Sequence, residues 1–108
     1  MSDNRAQMGM GALALNPAVV QRSPNQIACD MGGEVVILDV KSGTYYGLDA
    51  LGSMVWSLIE QPMSLAAIRD AIIADYDVDA ETCERDIVKF LREMETVGLI
   101  EVNGGSYL

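Results

Sequence analysis

Two different spacings of apolar residues divide the chain. Between Gln26 and Leu48 the apolar positions come in short runs broken by glycine-containing segments. After Leu48 they recur every three or four residues. The first part predicts strands. Gln26–Met31 is closed by Gly32-Gly33, a hairpin signal, and Glu34–Val40 (Glu-Val-Val-Ile-Leu-Asp-Val) is rich in β-branched residues. Lys41-Ser42-Gly43 makes a second turn, and Thr44–Leu48 is a third short strand with high β propensity. The pattern is a three-stranded antiparallel meander, to which Val19-Val20 can add a fragment.

The second part predicts three helices. Asp49 is a good N-cap, and Leu51, Met54, Val55, Leu58 and Ile59 share one face of the helix that follows, which Pro62 ends. Ser64 caps a second helix with the stripe Leu65, Ile68, Ala71, Ile72 and Tyr76; Asp75–Val78 is its exit. Asp79 opens the third and longest helix, with Glu81, Glu84 and Asp86 near its positive end. Its apolar stripe is Cys83, Ile87, Phe90, Met94 and Val97. Gly98 then suits the left-handed position after a helix, with Leu99 as the closing contact and Ile100–Val102 packing back. Strands followed by helices make an α+β domain, here of winged helix-turn-helix type: a three-stranded antiparallel sheet followed by three helices. The expected organisation is a flexible extension over residues 1–17, one domain over 18–102 and a flexible tail over 103–108.

Composition narrows the chemistry. The chain has 108 residues, half of them hydrophobic, which suits one domain with a core of its own. It has no histidine, so His-based acid/base chemistry, Ser-His and Cys-His pairs and the commonest metal ligand are absent. Cys29 and Cys83 are far apart and form no CxxC, so they read as two half-buried thiols in a reducing cytosol. Ser42, Ser53 and Ser57 have no base partner. The carboxylate pairs Glu84/Asp86 and Glu93/Glu95 diverge on their helix and read as solvated faces. No enzyme activity and no cofactor are expected. Gly9-Met10-Gly11-Ala12-Leu13-Ala14 echoes a dinucleotide loop but has no strand before it and is read as chance. No run nears the ~20 apolar residues of a membrane span, and no signal peptide is evident, so a cytoplasmic location is expected.

Charge then separates fold from function. Sixteen acids against seven bases give a net charge of −9. The third helix, which a DNA-binding winged helix would use for reading, carries six acids (Asp79, Glu81, Glu84, Asp86, Glu93, Glu95) and three bases (Arg85, Lys89, Arg92). Phosphates would repel it, so neither nucleic acid nor an anionic membrane is an expected partner. What remains is the third strand, one side of which lacks a partner. Tyr45 and Tyr46 point to opposite faces of it. Pattern alone leaves this edge either a protected strand with two packed tyrosines or a docking strand. A proline at Tyr46 is expected to remove an edge donor.

Two segments carry a resemblance. Gly43-Thr-Tyr-Tyr-Gly-Leu48-Asp49-Ala-Leu-Gly-Ser-Met-Val-Trp56 resembles the strand-to-first-helix segment of the PqqD-like family, and Arg85–Ile100 resembles its third helix with its Gly-Leu ending. The likeness runs from about Gln26 to Val102. Members are precursor-peptide recognition elements for ribosomally made, modified peptides. The resemblance implies that a leader peptide adds as a strand to Thr44, Tyr45, Tyr46 and Gly47. Tyr45 or Tyr46 would then line a groove whose helical wall holds Asp86, Phe90 and Glu93. The Tyr-Tyr-Gly-Leu-Asp wording looks most like lasso-peptide cluster members, which partner a leader peptidase. A pyrroloquinoline quinone-type peptide chaperone for a radical enzyme is the nearest alternative, and a homodimer in which the same edge pairs with a second copy is another.

Overall fold

The computed structural model describes residues 17–75 and 79–104. The expected extension therefore lies outside the described residues except for Pro17. So do Tyr76–Val78 of the expected second helix and its exit, and Gly105–Leu108 of the expected tail.

The element order is β1 (Val19–Arg22), β2 (Gln26–Asp30), β3 (Val35–Asp39), β4 (Thr44–Gly47), α1 (Ala50–Leu58), β5 (Met63–Ser64), α2 (Leu65–Asp75), α3 (Ala80–Thr96) and β6 (Ile100–Asn103). The fold is α+β, with three helices. Its strands form two three-stranded antiparallel sheets, β2-β3-β4 and β5-β1-β6. The first is the expected meander. The second was not legible beforehand. It pairs Val20 with Val102 and with Met63, residues whose short apolar runs say nothing about a partner so far along the chain. It also takes Asn103 out of the expected tail.

Local chemistry sets each boundary. Gly32 and Gly33 both have positive φ, and the Met31 amide donates to the Glu34 carbonyl (2.7 Å). This is the left-handed pair that a two-residue hairpin turn needs. Asp39 organises the second turn: its carboxylate accepts from the Lys41 amide and the Ser42 hydroxyl, and its carbonyl accepts from the amide of Gly43 at φ 71°. Asp49 caps α1 by accepting from the Gly52 amide, and Asp79 caps α3 by accepting from the Thr82 amide. At the end of α3 the Leu99 amide reaches the Met94 carbonyl and the Gly98 amide reaches that of Glu95, with Gly98 at φ 83°. Both bonds of a left-handed helix stop are thus made, and the chain turns directly into β6.

The core joins Val20 of β1, Val35 and Ile37 of β3, Val55, Trp56 and Ile59 around α1, Leu65, Ile68 and Ile72 of α2, and Ile87, Leu91 and Met94 of α3. The innermost face of α1 is therefore Gly52, Ser53, Val55, Trp56 and Ile59. Leu51, Met54 and Leu58 of the expected stripe are only half-buried. The Ser53 hydroxyl explains its own burial: it accepts from the Val35 amide at the start of β3 and donates to the Leu48 carbonyl.

Two further readings are corrected. Glu84 is not a solvated carboxylate but is 7% exposed. It accepts from Arg69 Nε at 2.8 Å, so α2 and α3 are tied by a sheltered ion pair. Burial pulls the Arg69 pKa down, but hydrogen bonds to Asp70 and Glu84 outweigh it and leave it raised. Of the two free thiols Cys83 is buried, whereas Cys29 is exposed on β2. Elsewhere the Arg22 guanidinium lies 4.4 Å over the Trp56 ring, and its Nη2 donates to the Trp56 carbonyl.

Candidate functional site

Along a central strand, backbone groups alternate between the neighbours on either side. The Met31–Glu34 and Val40–Asn25 bonds show that even-numbered β3 positions face β2; the Leu48 amide bonded to the Val35 carbonyl (2.8 Å) shows that odd ones face β4. Ile37 stands opposite Tyr46, so the Tyr46 amide and carbonyl belong to the ladder. Those of Tyr45 and Gly47 point the other way, to the side of β4 that is open among the described residues, where β4 pairs with β3 alone. This corrects the expectation that Tyr46 supplies an edge donor. A proline there would cut the ladder to Ile37 instead.

Side chains follow the same alternation. Tyr46 is half-buried against the core on the Ile37 face, and Tyr45 is 69% exposed on the other face, across from Leu38. Beside the open edge lies a groove of about 380 Å³ between β4 and α3. Tyr45, Tyr46, Gly47, Leu48 and Asp49 form one wall, and Phe90, Glu93, Met94 and Val97 the other.

The groove brings together most of the residues selected from sequence. Tyr45, Tyr46, Gly47, Phe90 and Glu93 line it, while Thr44 and Asp86 do not. Thr44 begins β4 as an exposed residue whose amide donates to Ser42 Oγ. Asp86 is exposed one turn before Phe90 and acts on Cys83, whose thiol is pushed up chiefly by burial and then by the nearby Asp86 and Glu84 charges. Leu48, Asp49, Met94 and Val97 were missed as lining. The signal was present for two of them: Met94 and Val97 follow Phe90 and Glu93 at helical spacing, and Val97 is 39% exposed rather than core.

Phe90 owes its place to a glycine. A Cβ on Gly52 would lie 2.7 Å from Phe90 Cε1, so the ring rests directly on the first turn of α1. The groove floor is thus apolar, and Glu93 and Asp49 supply its negative charge. Asp49 already accepts the Gly52 amide. Among the described residues no three His, Cys, Asp or Glu side chains gather to hold a metal. No described helix is long and apolar enough to cross a membrane. The arrangement suits one kind of chemistry, in which an extended peptide bonds to the edge and drops side chains into the groove.

Comparison with known proteins agrees with that arrangement. Residues 34–100 match the family described as coenzyme PQQ synthesis protein D (PqqD). A solved structure, TbiB1 in complex with the TbiA(beta) leader peptide, superposes with a TM-score of 0.71 at 43% identity. The match covers 75% of this chain and 94% of that one. No curated protein sequence matches significantly.

Proposed function

The chain belongs to the PqqD family, and we propose that it binds the leader segment of a ribosomally synthesised precursor peptide and presents it to an enzyme that modifies or processes that precursor. The leader adds as a strand to β4, bonding to the outward groups of Tyr45 and Gly47, with its apolar anchors against Tyr46, Leu48, Phe90 and Met94. The observation that carries this reading is the open β4 edge beside a mostly apolar groove. The 43% identical structure holding a leader peptide supports it.

In this role the domain makes and breaks no covalent bond. It raises the concentration of the precursor core at a partner enzyme. The partner we propose is the leader peptidase of a lasso-peptide pathway, in the cytoplasm. The Tyr45–Asp49 wording and the likeness to TbiB1 support it. The second reading, a peptide chaperone for a radical enzyme of pyrroloquinoline quinone type, has the description of the matching family in its favour. A peptidase and a cyclase encoded beside this chain would favour the first, and a radical enzyme the second.

Amide hydrogen exchange tests the docking mode, with the TbiA(beta) leader or the leader of a neighbouring precursor as probe. The Tyr45 and Gly47 amides should exchange fast in the free protein and become protected on saturation. The Tyr46 amide should be protected throughout. Saturated binding that leaves Tyr45 and Gly47 unprotected would refute strand addition at β4.

A further inference from the structure

The meander has a second open edge, and the leader-docking reading does not use it. Among the described residues β2 pairs only with β3. Since Asn25, Cys29 and Met31 lie on the ladder side of this register, the amides and carbonyls of Gln26, Ala28 and Asp30 face away from the sheet. Edges of this kind are normally blunted by proline, lysine, a bulge or a covering element. Gln26–Asp30 (Gln-Ile-Ala-Cys-Asp) contains neither proline nor lysine, and pairs with β3 in unbroken register. From Ile27 to Asp30 every residue is exposed, with Ile27 at 60% and Met31 just beyond at 64%.

We infer that the β2 edge is a homodimer interface, in which β2 of a second copy pairs antiparallel about a two-fold axis at Ala28. The outward groups fix this register. Centring on Ala28 sets it against itself and sets Gln26 against Asp30 of the second copy, so all three outward residues of each strand bond at once. Ile27 then meets Cys29 of the second copy on the outer face, which joins the exposed apolar side chains of two sheets. The charges fit as well. Each Asp30 carboxylate faces a neutral amide, and the two Asp30 residues lie at opposite ends of the interface. Each copy nevertheless carries −9 overall, so association should strengthen as salt screens that repulsion. The two β4 edges remain outermost on a joined sheet, open at the same time.

Sedimentation velocity on the full chain, over a concentration series and at two salt levels, tests this. The expected result is a reversible monomer–dimer equilibrium that shifts toward dimer at higher salt. Ala28→Pro removes an outward amide and leaves the ladder to β3 intact, a placement proline tolerates at an edge. It should give monomer with an unchanged far-UV spectrum. Cys29→Lys, at an exposed position, should do the same and guards against misfolding of the proline variant. A short bis-maleimide should link Cys29 to Cys29 of the second copy, because diagonal neighbours lie roughly 7–8 Å apart, while a direct disulfide should not form. A chain that stays monomeric throughout, or a dimer that survives both substitutions, would overturn the inference. So would a dimer that leader peptide dissociates, since that places the contact at β4. Failure to bind leader has no bearing on the dimer, so the two readings fail separately.

Discussion

Gly47→Pro isolates the main-chain share of leader binding. Gly47 offers an outward amide and carbonyl and no side chain, and a Cβ placed there meets nothing within 4 Å. Proline at this position deletes one donor from an edge that offers two donors and two acceptors, those of Tyr45 and Gly47. Each bond is worth about 0.5–1.5 kcal/mol net, so the edge supplies roughly 2–6 kcal/mol. Ordering about five leader residues costs roughly 5–10 kcal/mol, and apolar anchors in the groove, at about 1.5–3 kcal/mol each, make up the difference. With so narrow a margin, losing one bond and leaving a leader carbonyl unpaired should cost about 2 kcal/mol, roughly thirtyfold in Kd. Gly47→Ala keeps the amide and should stay within about threefold of wild type by the same measure. Tyr46→Pro instead cuts the ladder to Ile37 and should lower Tm. Calorimetric titration with a leader peptide, beside thermal melts, reads all three. If Gly47→Pro bound as tightly as Gly47→Ala, the proposed bonding edge would be wrong.

Three other outcomes are expected. Gly52→Ala puts a Cβ 2.7 Å from Phe90 and should drive the ring toward the groove. Overpacking of about 1–3 kcal/mol should appear as lower stability and weaker leader binding, and adding Phe90→Leu should restore stability but not affinity. Glu84→Ala leaves the sheltered Arg69 without its cross-helix partner and should cost about 3 kcal/mol in denaturant unfolding, whereas replacing both by Met should cost less. Cys29 should react with a maleimide in the native protein and Cys83 only after unfolding. Because the folded Cys83 thiol titrates above its ordinary value, its share of stability is present below the unfolded pKa and lost above it. Unfolding followed between pH 7 and pH 10 should show a decline that Cys83→Ser removes.

The meander and the helices were readable because their signals are local. Gly32-Gly33, the Asp49 and Asp79 caps and Gly98 each act within a few residues, and each falls where the sequence placed it. The β5-β1-β6 sheet was not readable because Val19–Arg22 meets Ile100–Asn103 only through the finished fold. Glu84 deceived for a related reason: as a helical acid it reads as solvated, and only Arg69 on another helix makes its burial tolerable. At the groove, helical spacing could have supplied Met94 and Val97 beside Phe90. The choice between Tyr45 and Tyr46 needed the register of β3, and with it the edge donors moved to Tyr45 and Gly47.

The alternation along β4 has one more consequence. A strand laid against Tyr45 and Gly47 turns every second side chain toward Phe90 and Met94 and the rest toward solvent. In the proposed docking mode the domain would be blind to half of the message it holds. Substitutions on the solvent-facing half of a leader escape its scrutiny, and that half can be spelled to suit a different reader. One short peptide can so carry two addresses, interleaved residue by residue.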